Sequence, residues 1–214
     1  MPDIKYKRNL PHIHPEGYPL FITFRLADSL PARVLAELKA QRERELNSKP
    51  NLSPSERFDI ERKFFSRYDE WLDRCEHGPR WLENENVARI VSDKIYALDH
   101  NRYNLYAFCI MPNHGHMLIE PLSVDQLEHK GKSAKYPVTD SLRLIKGSSA
   151  RACNLLLGRT GSFWHHESYD HYVRDEQELE RNIKYIFTNP VKAGLVKEWT
   201  DWKFTYVSPE LGEW

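Results

Sequence analysis

The sequence predicts an α+β fold: a four-stranded antiparallel, ferredoxin-like sheet covered by helices, with an enlarged helical excursion at 28–100 after the first strand. Three observations carry this. "YPLFITFRLAD" (Tyr18 to Asp28) is dense in aromatic and β-branched residues, as a strand is. "RYNLYAFCIM" and "HGHMLIEP" are two further β segments separated only by Pro112-Asn113, which reads as a tight hairpin. Helical patterns fill most of the intervals, giving the order strand, helices, strand, strand, helix, strand, helix.

The elements follow in chain order. "LPARVLAELKAQRERELN" reads as a helix, with Pro31 in its first turn. After a polar connection, Ser53-Pro54-Ser55-Glu56 has capping-box spacing, so a second helix starts there and runs through Trp71 to about Arg74. "HGPRWL" breaks it. "NENVARIVSDKIYALDH" spaces Val87, Ile90, Val91 and Ile95 along one face of a third helix. Residues 122–137 read as a polar, lysine-bearing loop, and "TDSLRLIKGSSARACNLLL" as a helix with Gly158 at its C-terminal side. "SFWHHESYDHYVR" is strand-like. Asp175 and Glu178 have capping spacing for the last helix, "EQELERNIKYIFTN", which is expected to stop at Pro190. The aromatic tail, 200–214, is expected to pack on the core of a single domain spanning 1–214.

Composition narrows the function classes. Over 214 residues, 40% are hydrophobic and 29% charged, the balance of an ordinary water-soluble globule. No apolar run reaches the ~20 residues of a membrane span, so no membrane partner is expected. The N-terminus lacks the apolar stretch of a secretory signal, which predicts a cytoplasmic protein. Cys75, Cys109 and Cys153 are scattered and odd in number, against a disulfide framework. Net charge is zero, so binding to nucleic acid requires a local patch. One candidate lies between Lys130 and Thr160, where Lys130, Lys132, Lys135, Arg143, Lys146, Arg151 and Arg159 face one acid, Asp140. A solvated helix face with a flexible basic loop explains that run equally well.

The chemistry-bearing stretch is "CIMPNHGHMLIEP", 109–121. On a strand, residues two apart share a side, so His114 and His116 stand together, with Met117 and Ile119 on the opposite face. Two imidazoles facing one way resemble most of a metal site. In the last helix Leu179, Ile183, Ile186 and Phe187 form one apolar stripe at ~100° per residue. Tyr185 and Asn189 lie off that stripe and, four apart, converge. His12-Ile13-His14 is a second H-x-H, but Pro15 and Gly17 beside it suggest a loop. His165, His166, Glu167, Asp170 and His171 form another polar cluster, in which His165 and His166 face opposite ways on a strand and only His171 is kept, as an outer support.

"MPNHGHMLIEP", followed by "GSFWHHESYDHYVRDEQELERNIKYIFTNPVKAGLV", resembles the REP-associated tyrosine transposases, single-tyrosine members of the HUH endonucleases related to small insertion-sequence transposases. The resemblance covers "FITFRL" and nearly everything from Trp81 to Trp202. It implies that His114 and His116 are metal ligands, that Tyr185 is the nucleophile, and that Asn189 is a polar third ligand. It implies a single-stranded hairpin DNA substrate, a covalent 5′-phosphotyrosine intermediate, and Mg²⁺ or Mn²⁺ as cofactor. It allows a monomer or a homodimer that exchanges the tyrosine helix. Arg143, Lys146, Arg151, Arg174 and Lys192 are candidate DNA contacts, and Tyr169, Tyr172 and Trp164 are candidate stacking residues, Trp164 more readily a core residue. Gly115 stands where the family usually has a larger apolar residue, and is expected to loosen the strand. His165 follows Trp164 where glutamine is common, with an expected effect on DNA contact or metal access. Two other readings of the same residues are a hydrolase that activates water, and a DNA-binding regulator without catalysis.

Overall fold

The computed structural model describes residues 4–7, 11–131, 136–212 and 214. β1 (Ile4–Lys7) and β2 (Pro11–His14) form a two-stranded antiparallel ribbon. β3 (Leu20–Arg25) is followed by α1 (Ala32–Leu46), α2 (Pro54–Asp73) and α3 (Glu85–Tyr96). Then come β4 (Tyr103–Ile110), β5 (His114–Pro121), α4 (Val124–His129), α5 (Pro137–Leu156), β6 (Tyr169–Tyr172), α6 (Glu176–Lys192) and β7 (Thr205–Val207). The main sheet has the order β6-β3-β5-β4-β7, and every neighbouring pair is antiparallel.

The expected α+β class stands, with a five-stranded main sheet in place of a four-stranded one. The extra strand comes from the tail. β7 lines up Ala107 with Val207 and Cys109 with Thr205 at the β4 edge. At three partly buried residues it is too short for a period-2 signal. The expected loop at 122–137 holds α4, whose Ser123 and Gln126 form a capping box. The aromatic segment 162–174 is strand only at Tyr169–Tyr172, with one earlier bridge from Trp164 to Leu26. The His12–His14 segment lies in β2 rather than in a loop, because the breakers Pro15 and Gly17 fall just after the strand. Pro190 does not stop α6, which continues to Lys192. A proline there forgoes one amide donor, and little helix remains to be lost.

Period-2 alternation divides the sheet into two faces. On one, Ile22 and Phe24 of β3 and Met117 and Ile119 of β5 pack with Val87, Val91 and Ile95 of α3 and Leu142 and Ile145 of α5. On the other, Phe21, Cys109 and Leu118 pack with Ile183, Ile186 and Phe187 of α6 and Phe65 of α2. His114 and His116 belong to this second face, buried beneath α2 and α6. The N-terminus of α2 is fixed by the capping box anticipated above, with the Ser53 hydroxyl accepting from Glu56 N–H and the Glu56 carboxylate accepting from Ser53 N–H. Gly78 passes so close to Asp28 that an added Cβ would lie 2.1 Å from its carbonyl oxygen. That contact anchors the end of the excursion against the end of β3.

Gly115 does not loosen β5. It is buried opposite Phe24 of β3, and a Cβ there would meet the Phe24 ring at 2.7 Å. That ring is 1% exposed and held edge-on against Trp164 at 5.1 Å, so it has no room to yield. Gly115→Ala is therefore expected to destabilise the protein by about 1–3 kcal/mol through overpacking. Thermal unfolding checks this; an unchanged midpoint contradicts it.

Candidate functional site

The hairpin delivers His114 and His116 side by side, with their Nε2 atoms 2.9 Å apart. Their other nitrogens are committed. His114 Nδ1–H donates to Asn113 Oδ1 at 2.6 Å, and His116 Nδ1 shares a hydrogen bond with Thr23 Oγ1 at 2.8 Å. Each imidazole therefore turns its Nε2 toward the same point, leaving that atom as the one with which it could ligate a metal.

Asp73, the last residue of α2, meets that point from the excursion. Its Oδ1 lies 3.2 Å from His114 Nε2 and 3.3 Å from His116 Nε2. Oδ1 also accepts from Asn189 Nδ2 at 2.9 Å, and Oδ2 accepts from the Tyr185 hydroxyl at 2.6 Å. One carboxylate thus joins the histidine pair to both residues read from the last helix. The Tyr185 ring packs 5.3 Å from that of His116 and 5.8 Å from that of Phe21. Tyr185 meets the histidines of its own chain.

The donor set fits a divalent cation. Asp73, His114 and His116 offer three atoms within 4.8 Å of one another. Two imidazole nitrogens and a carboxylate oxygen, the atom types that borderline divalent cations take, converge on one point. Asn189 is fully buried, and its Oδ1 takes no hydrogen bond among the described residues, so a turn of the amide that now faces Asp73 through Nδ2 would offer a fourth ligand atom, an oxygen.

The field of the site follows from burial. His114 is lowered to about 4, first by burial and then by its neighbour His116, with Asp73 opposing. Asp73 stays ionised: its burial is outweighed by the two imidazoles, which hold it below the ordinary carboxylate range. Asp69, one turn earlier on α2, is raised well above that range by burial and then by Asp73. The Tyr185 phenol is raised by burial first and then by Asp69 and Asp73. Thr23→Val keeps shape but removes the oxygen that is hydrogen-bonded to His116 Nδ1 and orients its ring. It is expected to weaken Mn²⁺ binding by about 10–100-fold, measured by calorimetry; unchanged affinity contradicts it.

The sequence-derived candidates therefore separate. His114, His116, Tyr185 and Asn189 come together. Lys192 is exposed, with its amine 5.3 Å from the centre of the Tyr185 ring. Arg143 and Arg151 are exposed on α5, which covers the other face of the sheet. Lys146 is partly buried and ties down a loop, donating to the carbonyls of His165 and His166 and to Ser168 Oγ. Tyr169 is 9% exposed and stacks on Phe65 as a core residue, rather than offering its ring to unpaired bases. Trp164 is likewise core, bonded to Ser149 Oγ, and Tyr172 pairs edge-on with Tyr18. Arg174 lies over the Phe58 ring and beside Glu178. His171 is separated from the histidine pair by the Phe21 ring, 5.4 Å from His116 and 5.3 Å from His171. His14 pairs with Asp170 at 2.6 Å. Lys132 and Lys135 lie outside the described residues, as do the side chains of His12 and Ile13. The three cysteines are free and buried. No helix among the described residues is long and apolar enough to cross a membrane.

Sequence reading missed Asp73. The available signal was two carboxylates, Asp69 and Asp73, among Phe65, Tyr68 and Leu72 on one side of an otherwise amphipathic helix. Acids on a packing face are rarely buried without a partner.

Among known proteins, no family model matches the chain. A Haemophilus influenzae protein named "Putative REP-associated tyrosine transposase" is 27% identical over 107 residues, covering 50% of this chain and 60% of the relative. The Escherichia coli REP-associated tyrosine transposase is 33% identical over 63 residues, 29% of this chain and 35% of the relative. The matched regions thus span less than two thirds of either relative. A solved structure of a REP-associated tyrosine transposase bound to a REP hairpin superposes with a TM-score of 0.53 at 17% identity, covering 94% of this chain and 80% of that one. In part of its sequence and in nearly all of its fold, the chain is similar to the REP-associated tyrosine transposases.

Proposed function

We propose that the chain is a metal-dependent DNA strand transferase that cuts and rejoins single-stranded hairpin DNA through Tyr185. The observation that carries the reading is the convergence of Tyr185, Asn189, His114 and His116, from two distant segments, on Asp73. The likeness to proteins named as tyrosine transposases, one of them bound to a hairpin, supports the reaction and the DNA partner.

His114 Nε2, His116 Nε2, Asp73 Oδ1 and Asn189 Oδ1 would hold the cation. Imidazole with carboxylate and amide oxygen suits Mn²⁺ or Mg²⁺, Mn²⁺ tolerating the nitrogens better. Bound there, it would polarise the scissile phosphate and offset the negative field that keeps the Tyr185 phenol protonated. The Tyr185 oxygen attacks phosphorus, the bond from phosphorus to the 3′ oxygen breaks, and that oxygen leaves as a free 3′-OH. Asp73 Oδ2, already accepting the phenol hydrogen, is placed to take its proton and return it to the leaving 3′ oxygen. The phosphotyrosine ester keeps the bond energy, so the 3′-OH of another strand can reverse the step. Phe21 and His116 fix the ring orientation. With Asp73, His114, His116, Tyr185 and Asn189 brought together within one chain, a monomer acting in cis would suffice. Residues 1–214 then work as one transposase-type unit, with the 28–100 excursion contributing Asp73.

The test is a labelled hairpin oligonucleotide incubated with Mn²⁺ and resolved on a denaturing gel. A slow-migrating protein–DNA adduct that chelation removes is the expected result. Cleavage without an adduct points instead to water as nucleophile, and salt-sensitive binding without cleavage to a regulator.

A further inference from the structure

A second charged feature lies beside the Asp73 centre. Arg25, the last residue of β3, stands in register with His114 of β5 and is 3% exposed. Its guanidinium donates only to neutral oxygens: Nε to the Tyr68 hydroxyl at 2.6 Å, and Nη1 to the Leu26 carbonyl and Ser29 Oγ, both at 3.3 Å. No carboxylate among the described residues lies within ion-pair distance of it. Guanidinium cannot escape burial by losing its proton, so a buried arginine normally keeps an anion beside it.

Arg25 forms the floor of a cleft between α1, α2 and the segment leading into β6, walled also by Lys39, Tyr68, His165, Glu167 and Ser168. The remaining polar groups suit an oxyanion. The Tyr68 oxygen accepts from Arg25, which leaves its own O–H to donate. Ser168 Oγ accepts from Lys146 in the same way. Lys39 makes no ion pair among the described residues and is half-buried at the rim. The space, about 20 Å³, holds an oxygen-sized group and excludes a base. Glu167 is the opposing charge on the wall.

We infer that this cleft binds the non-bridging oxygens of a phosphate flanking the scissile one on the same DNA strand. The inference rests on the strand-transfer reading above. Arg25 supplies the fixed charge, Lys39 the entry charge, and Tyr68 and Ser168 neutral donors. Its place next to His114 on the sheet sets the register of the strand relative to Tyr185, a positioning role without base readout.

Hairpin DNA with a single-stranded flank is titrated at several salt concentrations against wild type, Lys39→Ala, Lys39→Gln and Glu167→Gln. Both lysine variants should bind about 3–10-fold more weakly, with the slope of log K against log salt reduced by about 0.7. Glu167→Gln should bind more tightly. A methylphosphonate scan of the flank should find one position whose neutralisation weakens wild type but weakens Lys39→Ala no further. Wild-type affinity and slope in both lysine variants overturn the inference, as does strict additivity at every methylphosphonate position. If wild type still forms the adduct, only the cleft falls; if wild type binds no DNA, both readings fall.

Discussion

Tyr185→Phe is expected to abolish the protein–DNA adduct and strand joining, a loss of about 10⁴-fold or more, while metal and DNA binding persist. Only the phenol oxygen, the proposed nucleophile, is removed. The ring stays wedged between Phe21 and His116, so the histidine pair keeps its wall. The hydrogen bond to the Asp73 carboxylate is lost, for which about 1.5–3 kcal/mol of stability is a generous bound. Neither Tyr169, stacked in the core, nor Tyr172, paired edge-on with Tyr18, is placed to substitute. Hairpin cleavage at the wild-type rate in this variant contradicts the account.

Asp73→Ala carries the second large effect. Among the described residues, the carboxylate is the only group in contact with both imidazoles, the Tyr185 hydroxyl and Asn189 together. Its removal is expected to weaken Mn²⁺ binding by about 100-fold or more, beyond the 10–100-fold typical of outer supporting residues. It also withdraws one cause of the raised Tyr185 phenol, so that group titrates at lower pH in the metal-free variant. The two signs differ: activity at limiting Mn²⁺ collapses although the nucleophile is easier to ionise, and high Mn²⁺ restores part of it. Metal titration by calorimetry together with ultraviolet titration of tyrosine reads both. Wild-type Mn²⁺ affinity in Asp73→Ala means that the excursion does not build the centre.

How far the sequence discloses this site depends on the range of the interactions involved. The H-x-H pair is a local matter, since strand alternation alone places both rings on one face. The Tyr185–Asn189 pair follows from helical periodicity in the same way. Even the outer support at Asn113 sits within the quoted motif, although its bond to His114 shows only in three dimensions. Asp73 is different. It reaches Tyr185 across 112 residues of sequence and Asn189 across 116, and no periodicity encodes that meeting. The helical wheel puts Tyr185 and Asn189 off the apolar stripe, as a solvent-facing pair would be. They are covered because α2 forms a second wall there, so the excursion decides what the wheel leaves open. The fifth strand is missed for a related reason: β7 gains its identity from the β4 edge it joins, not from its own three residues. Pro190 shows the reverse case, a strong local breaker overridden in a buried last turn.

The most direct test of the central claim is to locate the covalent bond. The adduct formed with Mn²⁺ and hairpin DNA is digested with protease and nuclease, and the modified peptide is sequenced by mass spectrometry. The account predicts a nucleotide joined through its 5′-phosphate to Tyr185, in the peptide that also carries Asn189. A nucleotide on any other residue, or strand cleavage with no modified peptide, would contradict it.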